Sequence, residues 1–209
     1  MALVVVVLAV AVHGFVSVPP ARLPTSLNVA ERIAPQSLLS LEEEIRLGRY
    51  GSVERQRRRG RVGEAFIVVD SALPPDEIWR NLVDVEGWTR LMRGVRSATV
   101  RERRRDGTLR AGFQITKLRL PANIILRAPQ AGYVRFQLDN QCTNLAVDGL
   151  EGYWHVAPSP NADSLTRVCL AATVSACRIV PNAAIDYVAS KALRRATAWL
   201  RAPDDDLAV

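Results

Sequence analysis

The stretch VVDSALPPDEIWRNLVDVEGWTRLMRGVRSATV, Val68 to Val100, decides the fold. Its first residues close a strand that begins near Gly63, with Phe66 and Val68 opposite Ile67 and Val69. Pro74 and Pro75 stop that strand. Pro75 suits the first turn of a helix, where no backbone N–H is needed. Asp76 and Glu77 complement the positive end of the helix dipole. Ile78, Trp79, Leu82 and Val83 then recur at helical spacing. Gly87 breaks the helix, Trp88 to Met92 predicts a second short helical turn, Gly94 ends it, and Val95 starts a new strand.

Downstream of this block the chain reads as strand after strand. The runs are Val95 to Arg105, Thr108 to Leu120, Ala122 to Ala128, Gly132 to Asp139, Leu150 to Ala157 and Ser164 to Cys177. Asp106-Gly107 is a strong hairpin signal. Pro129, Asp148-Gly149 and the stretch Pro158 to Asp163 mark further turns. Val134, Phe136 and Leu138 alternate with Arg135, Gln137 and Asp139, the pattern of a half-buried antiparallel strand. In the Thr108 run the apolar phase shifts between Ile115 and Leu118, which predicts a bulge near Thr116 or Lys117. After Pro181, a long helix is expected. Ile185, Val188, Ala189, Ala192, Ala196, Trp199 and Leu200 fall on one face, and Lys191, Arg194, Arg195 and Arg201 mostly on the other. One strand, two short helices, six strands and a long helix form a rare order. It points to a sheet wrapped around a terminal helix.

Upstream lies address and lead-in. Leu3 to Val12 are ten uncharged apolar residues, too few to span a bilayer but right for the apolar core of a signal peptide. Residues 1–14 are expected to be that peptide, with Val12 and Gly14 at the cleavage site. Residues 15–36 begin with Phe15, carry Arg22 and Arg32, and hold a single acid, Glu31. That composition resembles a transit peptide. The pair resembles the bipartite presequence of proteins sent to plastids of secondary origin, with the secretory pathway as the alternative. In residues 37–60, Ser40 and Glu43 form a capping box for a helix through Leu47, ended by Gly48 and Gly51. The basic residues Arg55, Arg57, Arg58, Arg59 and Arg61 then predict a solvated linker, with contact to phosphates or lipid headgroups as the functional alternative. The folded domain is expected over 61–202 and an acidic tail over 203–209.

The 209 residues carry a net charge of +7, with 48% hydrophobic and 23% charged residues, so a full core is affordable for one domain plus extensions. Cys142, Cys169 and Cys177 lack CxxC spacing, which argues against a disulfide framework or a zinc site. They read as small buried or half-buried residues. No phosphate-binding glycine loop, HExxH or GxSxG occurs. His155 reads as a satisfied strand residue rather than a general base, and Asp70, Asp84 and Glu86 as caps or surface charges. No metal or cofactor is expected.

From Arg61 to Ala202 the chain is similar to the START-like (SRPBCC) superfamily, the helix-grip fold of lipid-transfer proteins, polyketide cyclases and coenzyme Q-binding proteins. The carriers are the opening block quoted above, the strand LEGYWHV (Leu150 to Val156) and the terminal helix. The resemblance implies an α+β helix-grip fold: a curved seven-stranded antiparallel sheet gripping the C-terminal helix, with a hydrophobic ligand between them. The coenzyme Q-binding and polyketide cyclase/dehydrase branches look closest. Trp88, Phe113, Ile115, Val134, Phe136, Trp154, Tyr187 and Trp199 are the candidates to line such a pocket, against the plain alternative that each fills a core.

The leading expectation is a non-enzymatic protein that binds an isoprenoid quinone, a lipid or a pigment precursor. The rival is a cyclase or dehydratase, which needs polar groups converging inside the pocket. Asn123, Arg127, Arg135, His155 and Tyr187 are the candidates for that role. A third expectation is a chaperone-like groove for a protein segment. Arg101, Arg103, Arg104 and Arg105 fall in an expected edge strand, where charge blunts aggregation. They also suit peripheral contact with an anionic membrane. Nucleic acid is not expected, since no aromatic residues accompany them.

Overall fold

The computed structural model describes residues 39–92, 95–115, 120–142, 144, 147–178, 180 and 194–201. The expected signal peptide, transit segment, acidic tail and most of the terminal helix therefore lie outside the described residues, as does Tyr187.

Helix α1, Leu41–Tyr50, opens with the expected capping box: Ser40 Oγ accepts from Glu43 N, and Ser40 N donates to Glu43 Oε2 at 2.8 Å. The helix continues past Gly48 and ends at Gly51, whose left-handed backbone (φ 66°) lets its N–H reach Leu47 O. A single exposed glycine costs a helix only about 1 kcal/mol relative to alanine, which the caps and the buried Leu47 offset.

The expected linker is instead a strand. β1, Ser52–Arg59, pairs with β2, Val62–Ser71, from Ser52↔Val69 to Arg59↔Val62. Its arginines hide a strand pattern in which Val53 alone is buried. What makes it form is the free edge of β2, whose N–H and C=O groups β1 satisfies. Gly60, with φ 59°, takes the turn position that needs a positive φ.

Helix α2, Pro75–Val83, buries Ile78 and Leu82, and the short helix α3, Trp88–Leu91, follows. Six strands complete the sheet: β3, Val95–Arg103; β4, Leu109–Ile115; β5, Leu120–Leu126; β6, Tyr133–Leu138; β7, Val147–Pro158; β8, Thr166–Ala176. Among the described residues one antiparallel sheet of eight strands runs β1-β2-β8-β7-β6-β5-β4-β3. The α+β class holds, with eight strands in place of seven because β1 joins.

Two other expectations are corrected. Leu120 opens β5 and pairs with Ile115 of β4, so the expected run Thr108 to Leu120 belongs to two strands, and the bulge expected near Thr116 or Lys117 lies outside the described residues. Asp148-Gly149 is no turn. It lies inside β7, where the register against β8 shifts between Val147 and Gly149. The β5–β6 connection turns on Ala131 and Gly132, both at positive φ (49° and 80°), two residues after the expected Pro129. A non-glycine residue there bears left-handed strain. Ala131→Asn is expected to stabilise the fold by about 0.5–1 kcal/mol, since Asn-Gly favours this turn. Chemical denaturation checks it, and a lower midpoint than wild type refutes it.

The sheet has two covered faces. The inner face carries Ala65, Ile67, Val69, Leu109, Ala111, Phe113, Ile124, Leu126, Val134, Trp154, Val156, Val168 and Leu170, packed with Ile78, Leu82, Val85, Trp88, Met92 and Leu200. The outer face carries Phe66, Val68, Tyr153, Cys169 and Ala171, covered by Leu47 of α1 beside Val53. β2 and β8 serve both cores, which explains their near-continuous apolar runs.

Candidate functional site

The inner face is the candidate site. Alternation along β4, β6 and β7 puts Phe113, Val134, Phe136 and Trp154 on it together, and α3 adds Trp88. The Trp88 ring stacks on Phe113, with centroids 5.3 Å apart and planes 8° from parallel. Trp88 Nε1 donates to Asn81 O at 3.0 Å, so this indole is satisfied inside the wall. Val134 and Trp154 are likewise buried. Ile115 pairs with Val95 and Leu120 in the sheet.

Phe136 differs from its buried neighbours because it is only partly covered. It leans over Gly152, the residue facing it on β7. Trp79, Leu91, Val100, Leu150 and Trp199 share that state, partly buried against the same core. Of these the sequence reading picked out only Trp199 as lining. The signal for Leu150 was available, since it shares the strand phase of Trp154. Trp79 and Leu91 sit on the flanks of helical stripes, where spacing alone does not separate core from rim.

The polar groups that reach this face are small and engaged. Ser71 Oγ donates to Leu200 O at 2.7 Å, tying β2 to the last described turn, Ala198–Leu200. Its cross-strand partner Thr166 donates through Oγ1 to Leu73 O at 2.8 Å, holding the loop that enters α2. The candidate polar catalytic residues are elsewhere. Asn123 is buried on the outer side of β5, close to Asn144. Arg127 is exposed beyond the end of β5. Arg135 is exposed above the Tyr133 ring. His155 lies on the outer side of β7 against the Tyr133 ring, 4.2 Å between centroids. Burial holds the His155 imidazole below its ordinary pKa. Among the described residues these four do not converge on the inner face.

The outer face holds the strongest polar cluster. Arg167, fully buried, donates to both oxygens of Asp70 (2.8 and 2.9 Å) and of Glu44 (2.7 and 2.9 Å). Ser159 and Asn161 add hydrogen bonds to the same carboxylates. Arg167 holds the Glu44 carboxyl below its usual range against the opposing effect of burial. Nearby, Arg55 pulls the Glu43 carboxyl down to about 2. This cluster fastens α1 to β2 and β8. Every charge in it is paired, so it reads as structure.

Among the described residues no three His, Cys, Asp or Glu side chains gather as a metal site requires. Cys142, Cys169 and Cys177 are not in disulfides, Cys169 being buried and the others half-buried. No described helix is long and apolar enough to cross a membrane.

Residues 71–201 match the family model described as polyketide cyclase / dehydrase and lipid transport. The chain belongs to that family. Its fold is START-like. A START superfamily protein from Mycobacterium smegmatis superposes with a TM-score of 0.54 at 15% identity, covering 71% of this chain and 93% of that one. The STAR-related lipid transfer protein from Xanthomonas axonopodis gives 0.56 at 13% identity, covering 73% and 94%. The Zhui aromatase/cyclase from Streptomyces sp. R1128 gives 0.52 at 14%, covering 71% and 89%. No curated protein matches the chain.

Proposed function

We propose that this family member binds a hydrophobic small molecule, an isoprenoid quinone, lipid or pigment precursor, against the inner face of the sheet. The observation that carries this reading is the character of the inner face. Its rim is partly covered and aromatic or aliphatic, at Trp79, Leu91, Phe136, Leu150 and Trp199, and its hydroxyls are spent on backbone carbonyls. Such a surface offers a long apolar tail about 0.8 kcal/mol per buried CH₂ and gives little purchase to a carbonyl or a water. The family's lipid-transport branch supports the same reading. The cyclase branch needs an inward polar pair that Asn123, Arg127, Arg135 and His155 do not supply. The apolar leader and acid-poor second segment support delivery to a plastid of secondary origin. A fluorescent fusion to residues 1–36 tests that address, and retention in the secretory pathway refutes it.

The binding test is direct. The purified protein is extracted with organic solvent and the extract analysed by mass spectrometry, and the protein is titrated with cis-parinaric acid. A recovered lipophilic compound and saturable probe binding are expected. Leu150→Glu, which places a charge on the inner face, is expected to weaken probe binding about tenfold or more. An empty extract together with no saturable binding refutes the reading.

A further inference from the structure

Three large apolar side chains are strongly exposed among the described residues, and all three belong to the ten-residue helix α1: Leu41 at 79%, Ile45 at 63% and Tyr50 at 62%. Leu41 and Ile45 are one turn apart, so they share one side of the helix. Leu47 is the residue of α1 buried beneath it. The helix thus presents an apolar side to the sheet and a second one to solvent. An isolated surface leucine is ordinary, but Leu41 and Ile45 form an apolar pair on the solvent side, with Tyr50 at the far end of the helix and on another side of it.

The surroundings of this patch are basic. Arg46 and Arg49 are exposed on α1 itself, and the Arg49 guanidinium lies over the Tyr50 ring, 5.3 Å from its centroid. On β1, Arg57 and Arg59 are exposed and share the phase of Val53, which lies under α1. They project on the side of the sheet that α1 covers. The acids of α1 do not cancel this charge fully. Glu43 is bound to Arg55 and Glu44 to Arg167, leaving Glu42 exposed.

We propose that α1 and the adjoining arginines of β1 form a docking surface for an anionic lipid bilayer. Leu41 and Ile45 enter the headgroup boundary, while Arg46, Arg49, Arg57 and Arg59 meet lipid phosphates. The charge complementarity selects a bilayer over a second copy of this chain, since two such faces would bring like charges together. The surface lies upstream of the family-matched residues 71–201 and on the opposite face of the sheet from the binding site. It therefore goes beyond the proposed ligand reading and stands or falls separately from it.

Vesicle co-sedimentation of the full chain tests the proposal, with phosphatidylcholine alone and with phosphatidylglycerol added. Stronger binding to the phosphatidylglycerol vesicles is expected. L41E/I45E is expected to reduce that binding about tenfold. R46Q/R49Q/R57Q/R59Q is expected to abolish the preference for anionic lipid, at about tenfold or more for the set. R101Q/R103Q/R105Q, on the far edge strand β3 and the turn that follows it, is expected to change neither readout beyond the small loss from lower net charge. Circular dichroism melts confirm that the variants fold, as the replaced side chains are exposed. Binding unchanged by both variant sets overturns the proposal, which is the outcome if the chain's own first 38 residues occupy the patch. So does a wild-type dimer in sedimentation equilibrium that L41E/I45E converts to monomer. Probe binding at the inner face is expected to be unaffected by every α1 variant, so failure here leaves the ligand reading intact.

Discussion

Arg167→Met is expected to lower the stability of the fold by about 3–5 kcal/mol, the cost of leaving buried carboxylates without their counter-ion. Arg167 is fully buried and joins Asp70, whose side chain is 9% exposed, to Glu44, whose side chain is 24% exposed. Removing the guanidinium strands two acids that share one site and repel each other. Neither can recover full hydration without pulling α1 off the sheet. The companion variant E44Q/D70N/R167M removes the charge on all sides and is expected to recover much of the loss, because the desolvation penalty goes with the ions. Urea denaturation of both variants is the measurement. A loss below about 1 kcal/mol for Arg167→Met would show the cluster to be energetically idle. The pH dependence has a defined sign. Glu44 has a folded-state pKa below its ordinary value, through its bonds to Arg167. Its contribution is present above the unfolded-state value and is lost as pH falls through the folded one. Arg167→Met is expected to flatten that part of the acid limb.

Gly152→Ala is expected to cost about 3 kcal/mol, at the upper end of overpacking. A Cβ built at Gly152 would lie 2.3 Å from Ala171 O and 2.4 Å from Phe136 Cζ. The first neighbour is backbone in the adjacent strand β8 and cannot turn aside. The second is an aromatic ring packed among Leu126, Gly152 and the inner core. Either the β7–β8 ladder opens or Phe136 swings away from its seat. Gly63→Ala is the matched control, since a Cβ there meets nothing within 4 Å. That variant is expected to stay within about 0.5 kcal/mol of wild type. Equal losses for the two would mean that glycine in these strands acts through chain entropy rather than through contact. Gly152→Ala is also expected to weaken cis-parinaric acid binding, because Phe136 forms part of the rim.

The Val68–Val100 block was legible because each of its signals is local. Prolines, a helical stripe and a glycine break follow one another without any long-range contact being needed. The edge position of β3 was legible from its arginines for the same reason. β1 was not, because its pairing depends on the free edge of β2, and only Val53 in it carries an apolar signal. The run Thr108 to Leu120 was read as one strand because a change of apolar phase looks the same whether the strand kinks or the chain turns back. At the site, aromatic residues on alternating strand positions were found together on one face. What alternation cannot supply is depth: Val134 and Phe136 have the same pattern, yet one is buried and the other partly open. Depth is set by which residue opposes each one, and Gly152 opposite Phe136 is a fact of register between strands.

The β1–β2 hairpin holds a further consequence. At its turn, the Arg61 side chain donates to the backbone oxygens of Ala176, Cys177 and Val180. Along its first strand, Glu54 accepts from Arg194 at 2.6 Å. Val180 and Arg194 flank residues 181–193, so one hairpin near the start of the domain fastens both ends of that late segment. The Arg194–Glu54 pair is not strong by itself, as Arg194 is largely exposed, whereas the three Arg61 bonds are part-buried. Together they make the two ends of the domain mechanically dependent on each other. A fragment trimmed to the family-matched 71–201 would lose both moorings along with two strands of the sheet, and a single proteolytic nick at Gly60 would be felt some 120 residues later in the chain.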